Sequence, residues 1–597
     1  MKKKLLIGNF SGFYGDRESA AQEMVEGGDL DVLTGDFLAE LTMFILWKAK
    51  QAGRPGYATT FLRQAEGILG ACMDRGIKIV TNAGGLDPGA LARDLDEVAT
   101  RLGLSPRIAY VSGDDLFPHL ADLEASGHEL RNLDTGAAFT NSGLTPVTAN
   151  AYLGARGIAK ALELGADIVV CPRVTDASLV VGPCIWNFGW RADEYDRLAG
   201  AVAAGHIIEC GAQATGGNFA RFDEIDDDVL PGLPIAEISA DGSAVITKHP
   251  GSPGAVTIDT VTAQLVYEVG GVQYLNPDTV LRLDSLQLDS VGSNRVRVSG
   301  ALGLPAPMET KVSMSCLGPY RQAISFGITG RQIEAKADLL KKGLLRTLRD
   351  TSGFADIDWR LTRSDHSDAP VNDMAVARMT VTFTSWKKEN LGRRIFDAGI
   401  GLALSSFPGF YYLEDSQRQA SATGIHWPFL IPQSVVNEVI HFEGAQVALP
   451  PREPAPLSNP RHAAQAPPTA REPASGPTIR VALGELALGR SGDKGANANV
   501  GLWVRDSDAY EWLRDTITVD RFRALLPEAA QFRIAVAALP NLRALNFVIF
   551  GILGQGAAEA MRFDPQAKGL AEYVLSREMD IPTHLLSASS TTLEAVL

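Results

Sequence analysis

The chain has 597 residues, 45% apolar and 21% charged, a balance that excludes wholesale disorder and leaves material for several buried cores. At about 150 residues per domain, this length suggests three or four folding units. Seventy acidic side chains against fifty-five basic ones set the net charge at −15, a surface that repels a phosphate backbone and speaks against a nucleic-acid partner.

The N-terminus reads Met1-Lys2-Lys3-Lys4, then only Leu5-Leu6-Ile7 before Gly8. A secretory apolar region needs roughly 7–15 residues, so this is not a signal peptide. The apolar run 547–553 is far below the roughly 18 residues of a membrane span. Cys72, Cys171, Cys184, Cys210 and Cys316 are scattered and include no Cys-x-x-Cys pair, the usage of a reducing compartment. The expectation is a soluble cytoplasmic protein without a membrane partner.

In chain order, a repeated pattern comes first. The spacing predicts strands at 4–8, 30–33, 77–80, 107–111 and 168–171, each ending in a cluster of Gly, Asn and Asp. Helices are expected up to residues 26 and 50, over 88–102 and over 149–164. Strands alternating with helices, and apolar along their whole length, imply a mostly parallel sheet covered on both faces, so 1–230 reads as an α/β domain. From 231 to 449 alternating runs dominate, with strands expected at 235–239, 244–248, 263–269, 280–288, 295–299 and 311–315. Helices at 331–351 and 390–404 flank a strand at 377–384, an α+β segment completing the body. Nine of the 32 prolines lie between Pro450 and Pro477, so 450–477 reads as a linker. The tail, 478–597, shows a strand at 479–488, a glycine loop, a strand at 500–504, a helix at 509–526, strands at 532–538 and 544–553, and a helix at 568–577. That is a compact two-layer α+β unit.

In an open parallel sheet, ligands bind beyond the carboxyl ends of the strands, where helix N-termini and loop amides converge. Those ends carry Asn9, Asp16 and Arg17, then Asp36, Asn82, Asp114, Asp115, Arg173 and Asp176. Asn and Asp also cap helices and shape turns, their commonest use. Gly8, Gly12 and Gly15 follow a strand and precede a helix, and Asp36 lies about twenty residues on, as in dinucleotide sites. The spacing, however, is GxxxGxxG, the Tyr-x-x-x-Lys pair of short-chain dehydrogenases is absent from its place, and no Gly-Lys-Ser/Thr makes a P-loop.

Two further clusters carry chemistry-bearing side chains. His206, Glu209 and Cys210 fall within five residues, enough for an acid/base pair or a nucleophile with its base, and Gly216-Gly217 follows. No second ligand pair stands at metal-site spacing, so no metal is assigned. In the tail, Arg490-Ser491-Gly492-Asp493-Lys494-Gly495 puts two cations among loop amides, a cradle for an anion, against the plainer reading of a hairpin loop. His426-Trp427-Pro428 and His441-Phe442-Glu443 read as packing.

Gly12-x-x-Gly15-Asp16-Arg17, Asp31-x-Leu33-x-x-Asp36-x-Leu38-Ala39-Glu40, Thr81-Asn82-Ala83-Gly84-Gly85, Arg173-x-x-Asp176-Ala177-Ser178 and Gly205-His206-x-x-Glu209-Cys210-Gly211 resemble the acyclic terpene utilisation (AtuA-type) family. Gln264-Leu265-x-Tyr267-Glu268 and Tyr274-x-x-Pro277-Asp278 do so too, and Arg490–Gly495 resembles the small ferredoxin-like domain that the family often carries. The resemblance implies breakdown of branched acyclic terpenoids through acyl-CoA esters. The resulting expectation is a catabolic enzyme, a homo-oligomer, hydrating or dehydrating a branched-chain acyl-CoA or related carboxylate. His206, Glu209, Cys210, Asp16 and Asp176 are the candidate catalytic groups. Arg17, Asn82, Arg173, Arg490, Ser491 and Lys494 are candidate substrate contacts, with amides at Gly84-Gly85 or Gly216-Gly217 as oxyanion donors. Coenzyme A enters as part of the substrate, with no separate cofactor assigned. The alternatives are a nicotinamide-dependent oxidoreductase and a non-catalytic acyl-CoA-binding subunit.

Overall fold

The computed structural model describes residues 2–225, 230–452 and 476–587. The centre of the proline-rich segment, 453–475, lies outside the described residues, so the expected linker is not described there. By contacts the chain divides into two compact units, Met1–Ser315 with His426–Leu597, and Cys316–Ile425.

In the larger unit, one sheet runs through eleven strands among the described residues. Its centre is parallel, in the spatial order Lys4–Asn9, Val32–Gly35, Lys78–Thr81, Ile168–Val170, Ile108–Ser112. Antiparallel strands extend both sides, Pro234–Ser239 beside Lys4–Asn9 and Val439–Phe442 beside Ile108–Ser112. Leu5, Ile7, Val32, Leu33, Ile79, Val80 and Val169 are buried, as double coverage requires. Helices Ala20–Glu26, Thr59–Arg75 and Pro88–Arg101 share one core with one face of the sheet, and Arg156–Glu163, Ser178–Phe188 and Tyr195–Ile208 share another. Local rules place these elements: Asp87 caps Pro88–Arg101 by accepting from the Ala90 amide at 3.0 Å, and Leu91, Leu95 and Val98 form its apolar stripe.

Tertiary contacts override the expected pattern in several places. The first three residues of the expected 149–164 helix end the strand Pro146–Ala151, because the Asn150 amide bonds Asp114 at 2.7 Å and the Ala151 N–H bonds the Asp114 carbonyl at 2.7 Å. The helix itself is Arg156–Glu163. The expected strand at 263–269 is the end of a helix, Ile258–Leu265, started by Thr257, whose hydroxyl accepts from the Thr260 amide.

The tail forms a four-stranded antiparallel sheet, in the order Leu488–Lys494, Asn497–Trp503, Ala544–Ile549, Ile534–Leu539. Its expected glycine loop is the strand Leu488–Lys494 itself. The expected helix 509–526 is two helices, Ser507–Thr516 and Val519–Leu525, the second capped by Thr518. The tail docks on the body through buried amides. Asn499 donates to the Val266 carbonyl at 2.7 Å and to Asn546 at 2.6 Å, and Asn546 donates to the Val269 carbonyl at 2.9 Å.

The smaller unit is built on antiparallel strands Asp356–Thr362, Val376–Ser385 and the later part of Glu309–Thr329. Helices Ile333–Leu348 and Arg393–Ile400 pack on it over a core that includes Phe326, Phe383 and Leu344. No helix among the described residues is long and apolar enough to cross a membrane.

Candidate active site

The last parallel strand, Ile168–Val170, inserts between the third and fourth, and the chain reverses its direction across the sheet there. The helix after Lys78–Thr81 therefore packs on one face and the helix after Ile168–Val170 on the other, and their entry loops part at the carboxyl edge. Asn82 and Arg173 stand on either side of that crevice.

Asn82 is fully buried and spent on structure: its amide donates to Asp36 at 2.6 Å and its oxygen accepts from the Phe37 amide at 2.7 Å. Burial and the neighbouring Asp176 carboxylate raise Asp36 well above the carboxylate range. Arg173 is also buried. Its Nη1 donates to the Leu38 carbonyl at 2.9 Å and to Asp176 at 3.0 Å, its guanidinium lies 4.1 Å from the centre of the Tyr152 ring, and its Nε has no hydrogen-bond partner among the described residues. Burial works against its charge, and Asp176, Tyr152, Glu40 and Asp36 outweigh burial. Asp176 is the reachable member of this pair, with its side chain 27% exposed.

Beside this rim the helix Tyr195–Ile208 ends in His206, three residues before Glu209, so the two side chains stack on one face. His206 Nδ1 and Glu209 Oε1 are 2.9 Å apart. Burial pushes the imidazole down to about 4, and burial with the Asp176 and Glu268 charges raises Glu209 well above the usual carboxylate range. Burial thus disfavours the charged form of both partners. Glu209 Oε2 is buried without a hydrogen-bond partner among the described residues. Cys210 is no activated nucleophile, because burial and then Glu209 push its thiol well up, and a nucleophile needs the thiolate.

The glycines of these loops serve the chain. A Cβ on Gly12 would lie 2.6 Å from the backbone carbon of Cys210, so this glycine is required by the neighbouring segment. Asn9 fixes the same join, donating to the carbonyls of Ile208 at 2.7 Å and Glu209 at 2.9 Å. The amides of Gly84 and Gly85 donate to Cys171 and Asn82 carbonyls, and those of Gly216 and Gly217 to Gln213 and Ala212 carbonyls. None of the four is free for an oxyanion, which corrects that expectation. Asp16 accepts from the Gly12 and Arg17 amides, and the Arg17 side chain pairs with Glu23 and bonds the Pro231 carbonyl, so neither reaches out to a ligand.

The tail's Arg490–Gly495 segment reaches the same place. Arg490 donates to the Asn218 carbonyl at 2.9 Å and to Gln213, and lies 4.6 Å from the centre of the Tyr267 ring, which makes it a clamp. Ser491 is buried and accepts from the Ala571 amide at 2.9 Å. Lys494 is exposed, with Nζ 5.9 Å from the centre of the Tyr274 ring, and that ring centre is 4.6 Å from the His206 ring.

Three groups at this site were not legible as functional. Glu40 accepts from Lys311 at 2.7 Å and from the Tyr152 hydroxyl at 3.1 Å; burial works against its charge, but Lys311, His426, Arg173 and Lys494 together outweigh burial and hold its carboxyl well below the usual range. His426, read as packing, has Nε2 3.1 Å from Ser313 Oγ and joins the same electrostatic cluster through Lys311 and Glu40. Nothing in the sequence around Glu40, Lys311 or Ser313 announces this convergence. No group of three or more His, Cys, Asp or Glu among the described residues is placed to hold a metal ion.

A family model described as acyclic terpene utilisation family protein AtuA matches residues 5–442, and a second, the AtuA ferredoxin-like domain, matches residues 481–580. No curated protein and no solved structure matches the chain.

Proposed function

Since the chain belongs to the acyclic terpene utilisation AtuA family and carries the ferredoxin-like domain of that family, we propose that it is an enzyme adding water to, or removing it from, a branched-chain acyl-CoA or related carboxylate. The observation that carries this reading is the buried His206–Glu209 pair, a carboxyl whose hold on its proton is strengthened by burial and which is oriented through one oxygen only.

In the dehydration direction, the Asp176 carboxylate takes the proton from the carbon next to the thioester. The electron pair becomes the new C=C bond, and the β-hydroxyl leaves as water on receiving the proton of Glu209. His206 orients Glu209 and shares its proton. Arg173 holds Asp176 and neutralises it when charged. Hydration is the same sequence reversed. Burial suits such a step, since few waters compete for the transferred protons.

The test is a panel of branched acyl-CoA esters read for mass changes of 18 Da. Glu209→Gln should lower turnover by about 10²–10⁴-fold while leaving the circular dichroism spectrum intact. A variant with near-normal turnover removes Glu209 from the chemistry.

A further inference from the structure

An elimination or addition next to a thioester places negative charge on the thioester oxygen, and that oxygen needs a donor. The loop amides nearest the crevice are already bonded to carbonyls. Lys494 differs from the other cations here. Arg173 is held by Asp176 and Lys311 by Glu40, whereas the Lys494 ammonium makes no ion pair or hydrogen bond among the described residues.

We propose that Lys494, carried by the ferredoxin-like tail, is a catalytic residue that contacts the acyl oxygen of the substrate, so that the tail is a wall of the active site. This rests on the acyl-thioester reading above.

The residues around Lys494 hold it rigidly at the site. It ends the strand Leu488–Lys494 and pairs with Asn497 across a turn made by Gly495, whose φ of 63° favours glycine. Asn497 is fixed to Asp134 of the body at 2.7 Å and to the Gly551 amide at 2.9 Å. A Cβ on Gly492 would overlap the Tyr267 ring, and one on Gly495 would lie 3.2 Å from His426 Nδ1, so the hairpin sits against the body with no space to spare. The Arg490 clamp, Gly492, Lys494 and Gly495 thus have one explanation: the motif docks a lysine over Tyr274, whose ring lies beside His206. The lysine's charge is felt at Glu40, Asp176, His206 and Glu209, in keeping with its place beside Tyr274.

The experiment uses the full-length protein with its lysines labelled as ¹³C-dimethyl ammonium groups, which keep their charge. The Lys494 signal is identified by its loss in Lys494→Arg. Saturating 3-methylcrotonyl-CoA should shift that signal, and coenzyme A alone should not. A signal that does not move, or moves equally with coenzyme A alone, overturns the contact with the acyl oxygen. Kinetics supply the second arm. Lys494→Ala should lose about 10²–10³-fold in kcat/KM, mainly in kcat, and added ethylamine should restore part of it. A rate within threefold of the unmodified sequence overturns the proposal, as does a loss that ethylamine leaves untouched. If no ester is converted at all, the reaction assigned to the site fails, and the labelled-lysine shift still decides the contact.

Discussion

Replacing Asn499 by leucine keeps the side chain's size and removes three hydrogen bonds, two of them across the join between tail and body. Asn499 is fully buried, donates to the Val266 carbonyl and to Asn546, and accepts from the Glu268 amide at 2.8 Å. Each partner left unpaired in a dry interior costs about 1–3 kcal/mol, and Asn546 can turn to recover some of that. The loss should therefore be about 3 kcal/mol, or roughly a hundredfold in the equilibrium for local opening. The join can open without global unfolding, so a global melting curve is a poor readout of it. Hydrogen exchange followed by mass spectrometry on the peptides 258–269 and 497–503 reads the join directly. Exchange there should quicken by about two powers of ten, with the strands of the central sheet unaffected. Turnover should fall as well, because Glu268 holds a left-handed backbone, φ 56°, with its amide tied to Asn499. Exchange within twofold of the unmodified chain would mean that the amide network does not hold the tail in place.

Two other substitutions test the site's supports. Gly12→Ala sets a methyl group against the Cys210 backbone, which has no flexible end to give way; a destabilisation of about 1–3 kcal/mol and slower turnover should appear in melting and rate measurements. His426→Gln tests a titration. Burial pushes His426 down to about 4 from 6.5, so between these values the unfolded chain binds a proton that the folded one refuses. Stability contributed by neutral His426 is then lost as pH falls from about 6.5 to 4, by up to about 3 kcal/mol. The acid side of the melting profile should be shallower in the variant, and an unchanged slope would remove the histidine from the cluster.

Much of the scaffold was readable because it is local. Strand ends recur with Gly, Asn and Asp after apolar runs, and His206 and Glu209 meet because three residues make almost one helical turn. The rest depends on contacts distant in sequence. Lys311 meets Glu40 across 271 positions, and nothing around either residue announces the other. Thr59–Arg75 was not anticipated although it carries an apolar stripe. The residues 258–265 are buried on nearly every side, which erases the periodicity that marks a helix. Gly84 and Gly217 were read as donors from composition, and only the chain paths of Cys171 and Ala212 show that their amides are occupied.

The edge of the central sheet has a consequence for biosynthesis. Strand Ile108–Ser112 is completed by Val439–Phe442, the pairing that brings Ser112 to His441 across 329 residues. At about 5–20 residues per second, a ribosome needs roughly 15 to 65 s to make that interval. Throughout it, the nascent chain presents the free edge of Ile108–Ser112, whose partner has not been synthesised, and chaperone cover of that edge should limit the yield of folded protein.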